Sequence, residues 1–357
     1  MRICFVAHAG SANTISWVNH FADVMGHDVH LISLCPADGL SAAVGLDVVP
    51  VTGPAALRYF LAIPFVRRRL REIAPDLVVG YRVASYGFLA AAAGGRPLAV
   101  AAQGKVVLPP MAFLKLLLAR YALRRADLVN SWAPHMTRRL VELGADAAKV
   151  LTCPRGIDLG LFRPGSDVDD RSETVMVTRT MHSSYRHDLV LQAVAIARRS
   201  RPGLRCVFIG RGEARGALER LADTLGVRDA VEFPGPVGPE RLARLLGGAA
   251  LYVSAVPTDG VSASLLEAMA TGCFPVVTDN EANRLWLDGE NGFLVSRPDP
   301  EEYARAMVSA LENESLRARA SEANRRVVEE RADIWRNLGR IESAYASLAG
   351  SRTRGSA

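Results

Sequence analysis

The sequence lacks the features that mark several classes of protein. Its five cysteines are odd in number and widely spaced, with no CxxC pair and no cluster with histidine, so neither a disulfide framework nor a zinc site is indicated. No stretch holds 18 uninterrupted apolar residues, and the N-terminus MRICFVAH has no long apolar run. We therefore expect no transmembrane helix and no signal peptide. These absences favour a protein of the reducing cytoplasm.

Positive charge is concentrated in the first half of the chain. Residues 1–165 hold 18 Lys and Arg against 10 Asp and Glu, whereas the remaining residues hold 25 against 27. The excess lies in two segments of helical pattern, residues 57–73 and 111–126, which mix arginines with Phe, Leu and Tyr. Such segments can contact an anionic membrane or an anionic acceptor, or they can present a solvated arginine face. No recognisable nucleic-acid motif accompanies them, so we expect no nucleic-acid partner.

Apolar runs typical of strands alternate with helical patterns along the whole chain, which predicts parallel sheets covered on both faces. The predicted strands are residues 2–7, 29–34, 48–51, 77–80, 98–102, 128–131 and 150–153 in the first half, and 174–178, 206–209, 231–233, 251–254 and 275–278 in the second. Between the two halves, the Pro-, Gly- and Asp-rich segment 163–172 is typical of a linker.

This alternation predicts two doubly wound α/β domains. We place one over residues 1–163 and the other over residues 164–334. Residues 335–349 form an amphipathic helix expected to pack back on the first domain, and residues 350–357 form a tail expected to be disordered. If the two domains face each other, the carboxyl ends of their strands border a cleft, which is where such sheets bind ligands.

The most informative run is AVPTDGVSASLLEAMATGCFPVVT, which follows the predicted strand 251–254. A turn leads into a helix that we expect to begin near Val261 or Ser262. Backbone N–H groups at a helix start, together with the helix dipole, form an anion site. The residues predicted to hold an anion there are Gly260, Val261, Ser262 and Ala263. From the residues alone, Asp259 could equally be the helix cap and Glu267 an ordinary surface residue.

The same run resembles the retaining glycosyltransferases of family 4, which have the GT-B fold. Their motif is two acidic residues separated by seven positions, followed by Ala-Met-Ala-x-Gly-x-Pro-Val-Val. Here Asp259 and Glu267 hold the acidic positions, with Asp in place of the first Glu, and one extra residue precedes Pro275. Further similar segments follow the family's order: Gly156-Ile157-Asp158, Phe162-Arg163-Pro164, Gly210-Arg211-Gly212, Val231-Glu232-Phe233-Pro234-Gly235 and Asn291-Gly292-Phe293-Leu294-Val295. The resemblance extends over nearly the whole chain and implies two Rossmann-like domains that face each other across a cleft.

The resemblance implies a nucleotide-diphosphate sugar as the donor, bound in the second domain. Arg179 stands where the family holds the diphosphate with an arginine. The family's second cation is a lysine, for which Arg186 is the substitute, although strict spacing favours Tyr185. Two cations facing two phosphates would stabilise a leaving diphosphate, whose negative charge grows as the glycosidic bond breaks.

Further donor contacts are implied in the same way. The loop that contains Gly235 and Val237 would line the nucleotide base. Glu267 would accept hydrogen bonds from the ribose hydroxyls. Asp259 would contact the transferred sugar and stabilise positive charge near its anomeric carbon.

The first domain departs from the family at two positions, near residue 103 and near the first strand, where His8-Ala9-Gly10 stands in place of Gly-Gly. Gln103-Gly104-Lys105 stands where many members have His-Gly. Glutamine cannot act as a general base, so help from a histidine is absent at this point. The resemblance implies that the departing phosphate itself takes the acceptor proton. Gln103 would then bind the sugar or acceptor, and Lys105 the acceptor or a phosphate. Near the first strand, Gly10 would allow a phosphate or acceptor to approach, and His8 is either an acceptor contact or a satisfied strand-end histidine.

Together these features predict a retaining transferase that moves a sugar from a UDP- or GDP-sugar to an acceptor hydroxyl, in cell-surface glycan, lipid-linked glycan or secondary-metabolite biosynthesis. No metal or cofactor is expected, because cationic side chains and a helix start hold the diphosphate. The basic segments favour an anionic or lipid-linked acceptor and peripheral contact with the inner face of the membrane. Gln103 and Asp259 leave open a non-catalytic scaffold or binding subunit, and a nucleotide-sugar epimerase of the same fold is a further alternative.

Overall fold

The computed structural model describes residues 1–102, 108, 111–165 and 172–353. The chain divides into two compact units: Met1–Pro154 together with the chain from Leu338 onward, and Arg155–Asn337. The sequence prediction set this boundary after residue 163, and the units divide after Pro154. Each unit contains one parallel sheet, so the predicted pair of Rossmann-like domains is confirmed.

The first unit is built on a seven-stranded sheet in the order β3-β2-β1-β4-β5-β6-β7. Its strands are β1 (Arg2–Val6), β2 (Asp28–Ser33), β3 (Val44–Val48), β4 (Leu77–Tyr81), β5 (Leu98–Ala102), β6 (Leu128–Ser131) and β7 (Val150–Thr152). Its helices are α1 (Ala12–Asn19), α2 (Ala55–Leu61), α3 (Ile63–Ile73), α4 (Phe88–Ala92), α5 (Phe113–Arg125) and α6 (Pro134–Glu142), with π-helical turns at His20–Val24 and Arg82–Gly87. Strands β4 and β5 are buried along their whole length, because helices cover both faces of the sheet.

The C-terminal helix α13 (Ile334–Thr353) contributes most of its length to the first unit. One face buries Leu338, Ile341 and Tyr345, and the Tyr345 ring lies 5.8 Å from that of Phe21. Residues 350–353 are helical, so the prediction of a disordered tail is wrong for them. A helix that is already anchored gains one hydrogen bond for each residue added, which favours its continuation.

Two predicted elements of the first unit are wrong. The edge strand is Val44–Val48 rather than residues 48–51, and it pairs in parallel with β2. The predicted strand included Pro50, which has no N–H to donate to a sheet. Residues 57–73 form two helices, α2 and α3, instead of one. Pro64 lies in the first turn of α3, where its missing N–H is tolerated. In the middle of one continuous helix, the same proline would remove a hydrogen bond and clash with the preceding turn.

The second unit is built on a six-stranded sheet in the order β10-β9-β8-β11-β12-β13. Its strands are β8 (Ser172–Val177), β9 (Arg205–Ile209), β10 (Val231–Gly235), β11 (Ala249–Ser254), β12 (Phe274–Thr278) and β13 (Phe293–Val295). Its helices are α7 (His187–Ala197), α8 (Arg215–Thr224), α9 (Pro239–Gly247), α10 (Ala263–Thr271), α11 (Pro300–Glu312) and α12 (Glu314–Arg331). Strand β11 contributes to two hydrophobic clusters. Ala250, Leu251 and Val253 enter the cluster beneath α7, α8 and α11, and Ala249 and Tyr252 enter the cluster beneath α9 and α10.

Both sheets have the same kind of strand order around their first strand. β1 lies between β2 and β4, and β8 lies between β9 and β11. In each sheet, the chain therefore leaves two neighbouring strands toward opposite faces at their carboxyl ends. These strands are β1 and β4 in the first sheet and β8 and β11 in the second, and a crevice opens between the loops that follow them. In each unit this crevice is where a bound ligand is expected.

Candidate functional site

Arg179 follows β8, and its side chain reaches across to the residues that follow β11. Its Nη1 donates hydrogen bonds to Asp259 Oδ2 at 2.7 Å and to Ser262 Oγ at 2.9 Å. The Arg179 and Asp259 side chains are only 14% and 11% exposed, so water screens this ion pair little. Burial alone lowers the pKa of Arg179, but the Asp259 carboxylate, together with Tyr252 and Tyr185, raises that pKa above its ordinary value. The crevice of the second unit thus holds a permanent, shielded cation.

Helix α10 begins beside this ion pair at Ala263, one residue later than the latest predicted start. Its cap is Ser262, whose Oγ accepts the Leu265 N–H at 3.2 Å, so the alternative of Asp259 as the cap is wrong. Asp259 Oδ1 instead accepts the Gly260 N–H at 2.8 Å. The predicted anion-binding amides of Val261, Ser262 and Ala263 all precede the first intrahelical hydrogen bond, which Leu266 donates.

Tyr185 rather than Arg186 lies against Arg179. The guanidinium carbon of Arg179 is 4.8 Å from the centre of the Tyr185 ring, which is a cation–π contact. Arg186 has a left-handed backbone (φ 54°) just before α7 and pairs with Asp188 at 3.2 Å, with its side chain 40% exposed. An aromatic ring that holds Arg179 therefore occupies the position where the family resemblance implies a lysine.

Two glycines after β9 fix the backbone on which Arg179 stands. Met181 donates its N–H to the Arg211 carbonyl at 3.0 Å, which joins the two loops. A Cβ at Gly210 would lie 2.7 Å from the Arg179 carbonyl oxygen, and one at Gly212 would lie 2.2 Å from the Met181 carbonyl oxygen. Any side chain at either position would displace this backbone. These glycines are a weak sequence fingerprint taken alone, yet they set the position of the cation.

His187 supports the same loop from within the unit and was not singled out by the sequence. Its Nε2 donates to the Thr180 carbonyl at 3.0 Å, and the ring is buried. Burial lowers the pKa of His187, so the imidazole is neutral at pH 7. Its place at the start of α7, beside Arg186, was visible in the sequence, but the bond to Thr180 depends on the folded loop.

The ion pair closes a small polar pocket whose other walls the sequence did not predict. No water-sized molecule fits inside this space, whereas an ordinary ligand site has roughly 300–1,000 Å³ of free volume. The residues that line it but were not predicted include Tyr252, Ser254, Asn280 and Asn283. A bound anion must therefore contact the outer side of Arg179 or replace Asp259 on it.

Glu267 lies on α10, four residues after Ala263 and so on the same side of the helix. Burial raises its pKa to about 7, while Arg155 and Arg179 act in the opposite direction. Glu267 is half-buried, so it is not a fully exposed surface glutamate. When ionised, the carboxylate accepts hydrogen bonds only, which suits hydroxyl donors.

The remaining predicted donor residues lie at the end of β10. Gly235 ends that strand with a left-handed backbone (φ 83°), and its carbonyl accepts the Gly210 N–H at 3.1 Å. Val237 is half-buried against the hydrophobic cluster that contains Tyr252. The loop predicted to line a base is thus bonded directly to the loop that supports Arg179.

In the first unit, His8 follows β1 at the corresponding crevice. Its Nδ1 lies 3.6 Å from Cys35 Sγ, and its ring meets the edge of Tyr86 with the centroids 6.2 Å apart. A Cβ at Gly10 would lie 2.8 Å from the His8 ring, so the imidazole packs directly against Gly10. Burial raises the pKa of Tyr86 to about 12. Gln103 and Lys105 lie outside the described residues.

Models of two glycosyltransferase families match this chain, one in each half. The family described as glycosyl transferases group 1 matches residues 162–327, and the family described as glycosyl transferase 4-like matches residues 2–132. The chain belongs to the family-4-like glycosyltransferases of the GT-B fold. The resemblance stated from the sequence motifs is thereby confirmed.

The relatives of this glycosyltransferase include a D-inositol 3-phosphate glycosyltransferase from Acidothermus cellulolyticus, which is 32% identical over 209 residues. The match covers 53% of this chain and 46% of that protein, so the chain spans about half the length of the curated relatives it matches. Anabaena HepE, crystallised with UDP and glucose, has a TM-score of 0.81 at 16% identity and covers 97% of this chain and 100% of its own. Sucrose-phosphate synthase from Thermosynechococcus elongatus also has a TM-score of 0.81 at 16% identity, over 98% of this chain and 100% of its own. These structural likenesses confirm the GT-B fold.

Substitution of Gly212 tests the support beneath Arg179 in this glycosyltransferase. We expect Gly212→Ala to lower the free energy of unfolding by about 1–3 kcal/mol, because the new methyl group meets the Met181 carbonyl. The matched control is Gly216→Ala in α8, where the nearest atom is the tip of Arg220 at 3.6 Å. That change should be neutral or stabilise the helix by about 0.5–1 kcal/mol. Urea unfolding measures both, and equal losses would contradict the proposed packing role.

Glu267→Gln should stabilise the glycosyltransferase at pH 8 and have little effect at pH 5. The pKa of Glu267 is about 7 in the folded protein, against 4.5 for an ordinary glutamate. At pH values between 4.5 and 7, the native state therefore binds more protons than the unfolded state. Wild-type stability therefore falls as the pH rises through this window, by at most about 3 kcal/mol. Urea unfolding at several pH values measures the difference between wild type and variant.

The control for this experiment is Glu322→Gln on the exposed side of α12, where the side chain faces water. Its effect on stability should not change over the same pH range. A Glu267→Gln profile parallel to that of wild type would show that the carboxylate is solvated in the native protein.

Proposed function

We propose that the chain is a retaining glycosyltransferase that moves a sugar from a UDP- or GDP-sugar to an acceptor hydroxyl without a bound metal. The observation that carries this proposal is the shielded contact of Arg179 with Asp259 and Ser262 at the start of α10. A cation, a carboxylate and a helix start converge there, in the crevice next to β8. Family membership supports the reaction class, and the UDP complex of Anabaena HepE supports the donor class.

The proposed mechanism assigns each charge to one stage of bond cleavage. As the bond to the diphosphate breaks, Arg179 and the first-turn N–H groups of α10 stabilise the growing negative charge. A phosphate oxygen then accepts hydrogen bonds from the Arg179 guanidinium alongside Asp259. The Asp259 carboxylate thereby becomes available to stabilise positive charge at the anomeric carbon. The departing phosphate takes the acceptor proton on the same face of the sugar, so the anomeric configuration is retained.

The other donor contacts follow from burial and position. Glu267, ionised above its pKa of about 7, accepts hydrogen bonds from the ribose hydroxyls. The loop of Gly235 and Val237 lines the base. Arg186 is the proposed second cation. Its side chain would break its ion pair with Asp188 in order to contact the diphosphate. In the first unit, His8 is proposed to contact the acceptor, and Gly10 to allow the donor phosphate or the acceptor to approach. Gln103 is proposed to bind the sugar or the acceptor, and Lys105 the acceptor or a phosphate.

We place the enzyme in the cytoplasm, at the inner face of the membrane, with an anionic or lipid-linked acceptor. The support is the surplus of basic residues in positions 1–165, which hold 18 basic against 10 acidic side chains. Such a surplus attracts anionic partners over a range that salt screens. Biosynthesis of a surface glycan, a lipid-linked glycan or a secondary metabolite supplies acceptors of this kind.

Donor binding is tested by thermal unfolding with UDP, GDP and their sugars. A nucleotide diphosphate at about 100 times its dissociation constant should add about 2.7 kcal/mol of stability and raise the melting temperature by several degrees. Arg179→Ala should abolish the shift and lower turnover by about 100-fold or more. If no nucleotide diphosphate raises the melting temperature of the wild-type protein, the proposal fails.

The matched control is Arg198→Ala. Arg198 is 20% exposed and pairs at 3.2 Å with Asp229, which is 73% exposed. It therefore matches Arg179 in its own burial and in having an aspartate partner, but it does not line the pocket around Arg179. It should keep the full shift. Donor binding without any turnover would favour a scaffold instead, and consumption of donor without acceptor would favour the epimerase-like alternative.

Tyr185 is expected to affect donor binding through Arg179. Tyr185→Ala should weaken binding of the nucleotide diphosphate by about 2- to 30-fold, because a cation–π contact that positions the guanidinium contributes roughly 0.5–2 kcal/mol. Tyr185→Phe keeps the ring and should bind as the wild type does. Isothermal titration calorimetry measures both. Equal losses in the two variants would mean that the hydroxyl, and not the ring, acts on the donor.

Removal of metal ions should leave donor binding and turnover unchanged, because Arg179 and the start of α10 supply the positive charge. The measurement is the thermal shift with UDP-sugar or GDP-sugar, and the turnover rate, before and after treatment with EDTA. Loss of either after treatment, with recovery on addition of Mg²⁺ or Mn²⁺, would overturn the metal-independent part of the proposal.

A further inference from the structure

Large apolar side chains are exposed along two helices of the first unit. On α5, Phe113 is 73% exposed, and on α2, Leu61 is 58% exposed. The full set is Leu57, Phe60 and Leu61 on α2, and Phe113, Leu114, Leu117 and Tyr121 on α5. Clusters of exposed apolar groups on soluble proteins mark interaction sites, whereas single exposed side chains need no explanation.

The two helices present these side chains on one continuous surface. The Phe60 ring lies 5.2 Å from that of Phe88, and the Phe88 ring lies 5.6 Å from that of Tyr121. Phe88 is buried in α4, so α2 and α5 flank the same helix. We call the exposed residues of these two helices the α2–α5 surface.

The spacing within each helix shows that the exposure is one-sided. Phe113, Leu117 and Tyr121 recur at every fourth position and share one side of α5. Ala119, Ala122 and Leu123 are buried on the opposite side. On α2, the exposed residues fall at positions 57, 60 and 61, which also share a side.

Positive charge on this surface has no acidic counterpart. Helix α5 carries four exposed basic residues, and neither α5 nor α2 contains a carboxylate. The four are Lys115, Arg120, Arg124 and Arg125. Within the described part of the chain, none of them forms an ion pair, and Arg125 lies over the Tyr121 ring at 4.8 Å. Their charge is therefore available to an external anion.

Helix α3 differs, although it belongs to the basic segment predicted from the sequence. Arg68 and Arg69 both pair with Glu72, and Arg69 also pairs with Asp47 at 2.9 Å. Two of its arginines are thus neutralised by partners within the fold. Formal charge along residues 57–73 overstates what that segment offers to a ligand.

We propose that the α2–α5 surface docks on an anionic lipid bilayer. Exposed Phe and Leu side chains suit the boundary between headgroups and acyl chains, and unpaired Lys and Arg beside them suit anionic headgroups. A nucleic acid or an anionic glycan would use the cations but leave the apolar side chains without a partner. None of the helices in the described ranges is long and apolar enough to cross a bilayer.

The docking surface stands independently of the transferase proposal, because it rests on residues of the first unit alone. If both hold, the surface brings the enzyme to acceptors carried in the membrane. Binding to vesicles and the thermal shift by nucleotide diphosphates are separate measurements, so failure of one leaves the other intact.

The test is co-sedimentation of the full chain with vesicles of phosphatidylglycerol and phosphatidylcholine, compared with vesicles of phosphatidylcholine alone. We expect at least about tenfold stronger partitioning onto the anionic vesicles, weakened by salt. The double variant Phe113→Ser/Leu117→Ser should lower this partitioning by about tenfold or more, because it removes inserted apolar area. The double variant Arg120→Glu/Arg124→Glu should lower it at least as much.

Two control variants place the surface on the molecule. Val141→Ser replaces a 38% exposed apolar side chain on α6, and Arg68→Glu reverses a charge that is already paired on α3. Each should change partitioning by less than about twofold if the α2–α5 surface is the docking site. Melting temperatures close to that of the wild type verify that every variant is folded.

Three outcomes would overturn the proposal. The first is wild-type protein that stays in solution with anionic vesicles. The second is a loss of binding in the controls as large as in the two surface variants. The third is a loss of binding on charge reversal with none on removal of Phe113 and Leu117, which would assign the surface to a soluble polyanion such as an anionic glycan.

Discussion

The ion pair between Arg179 and Asp259 is the interaction on which the arrangement of the second unit's crevice depends. Removing two charges from water costs several kcal/mol for each ion, and only close, well-bonded geometry offsets that cost. Here the guanidinium also bonds Ser262, and the carboxylate also accepts the Gly260 N–H. A well-packed apolar pair would often be as stable or more stable at such a position. The ion pair is therefore better explained by the shielded Arg179 charge that it keeps available to a ligand than by its contribution to the stability of the fold.

The order of the strands explains why residues 80 positions apart form this pair. β8 and β11 are neighbours, and the chain leaves them toward opposite faces, so their loops face each other across a crevice. β9 is the other neighbour of β8, and its glycines support the Arg179 backbone from that side. His187, on the helix that follows β8, bonds the same loop. Arg179 is thus positioned by three consecutive elements, β8, α7 and β9. It meets Asp259 in the loop that follows a fourth, β11.

The sequence predicts the buried strands well and the side-chain contacts poorly, for physical reasons. A continuous apolar run gave Leu98–Ala102 with its observed bounds, because a strand covered on both faces favours apolar residues at every position. The edge strand Val44–Val48 was misplaced, since Gly45 and Asp47 weaken the apolar pattern and only one edge of the strand is paired. The contact of Tyr185 with Arg179 and the burial of Glu267 depend on how loops and helices pack, which local patterns do not encode.

Charge in the first unit shows the same limit of sequence patterns. Residues 57–73 and 111–126 look alike as mixtures of arginine and apolar residues, yet they differ in what they leave available. In α3, carboxylates four residues away or on β3 pair with the arginines, so their field is largely cancelled near the surface. In α5, the same side of the helix carries unpaired cations and exposed Phe and Leu side chains. Net charge therefore measures the attraction of a whole segment, whereas binding depends on the cations that the fold leaves without a carboxylate.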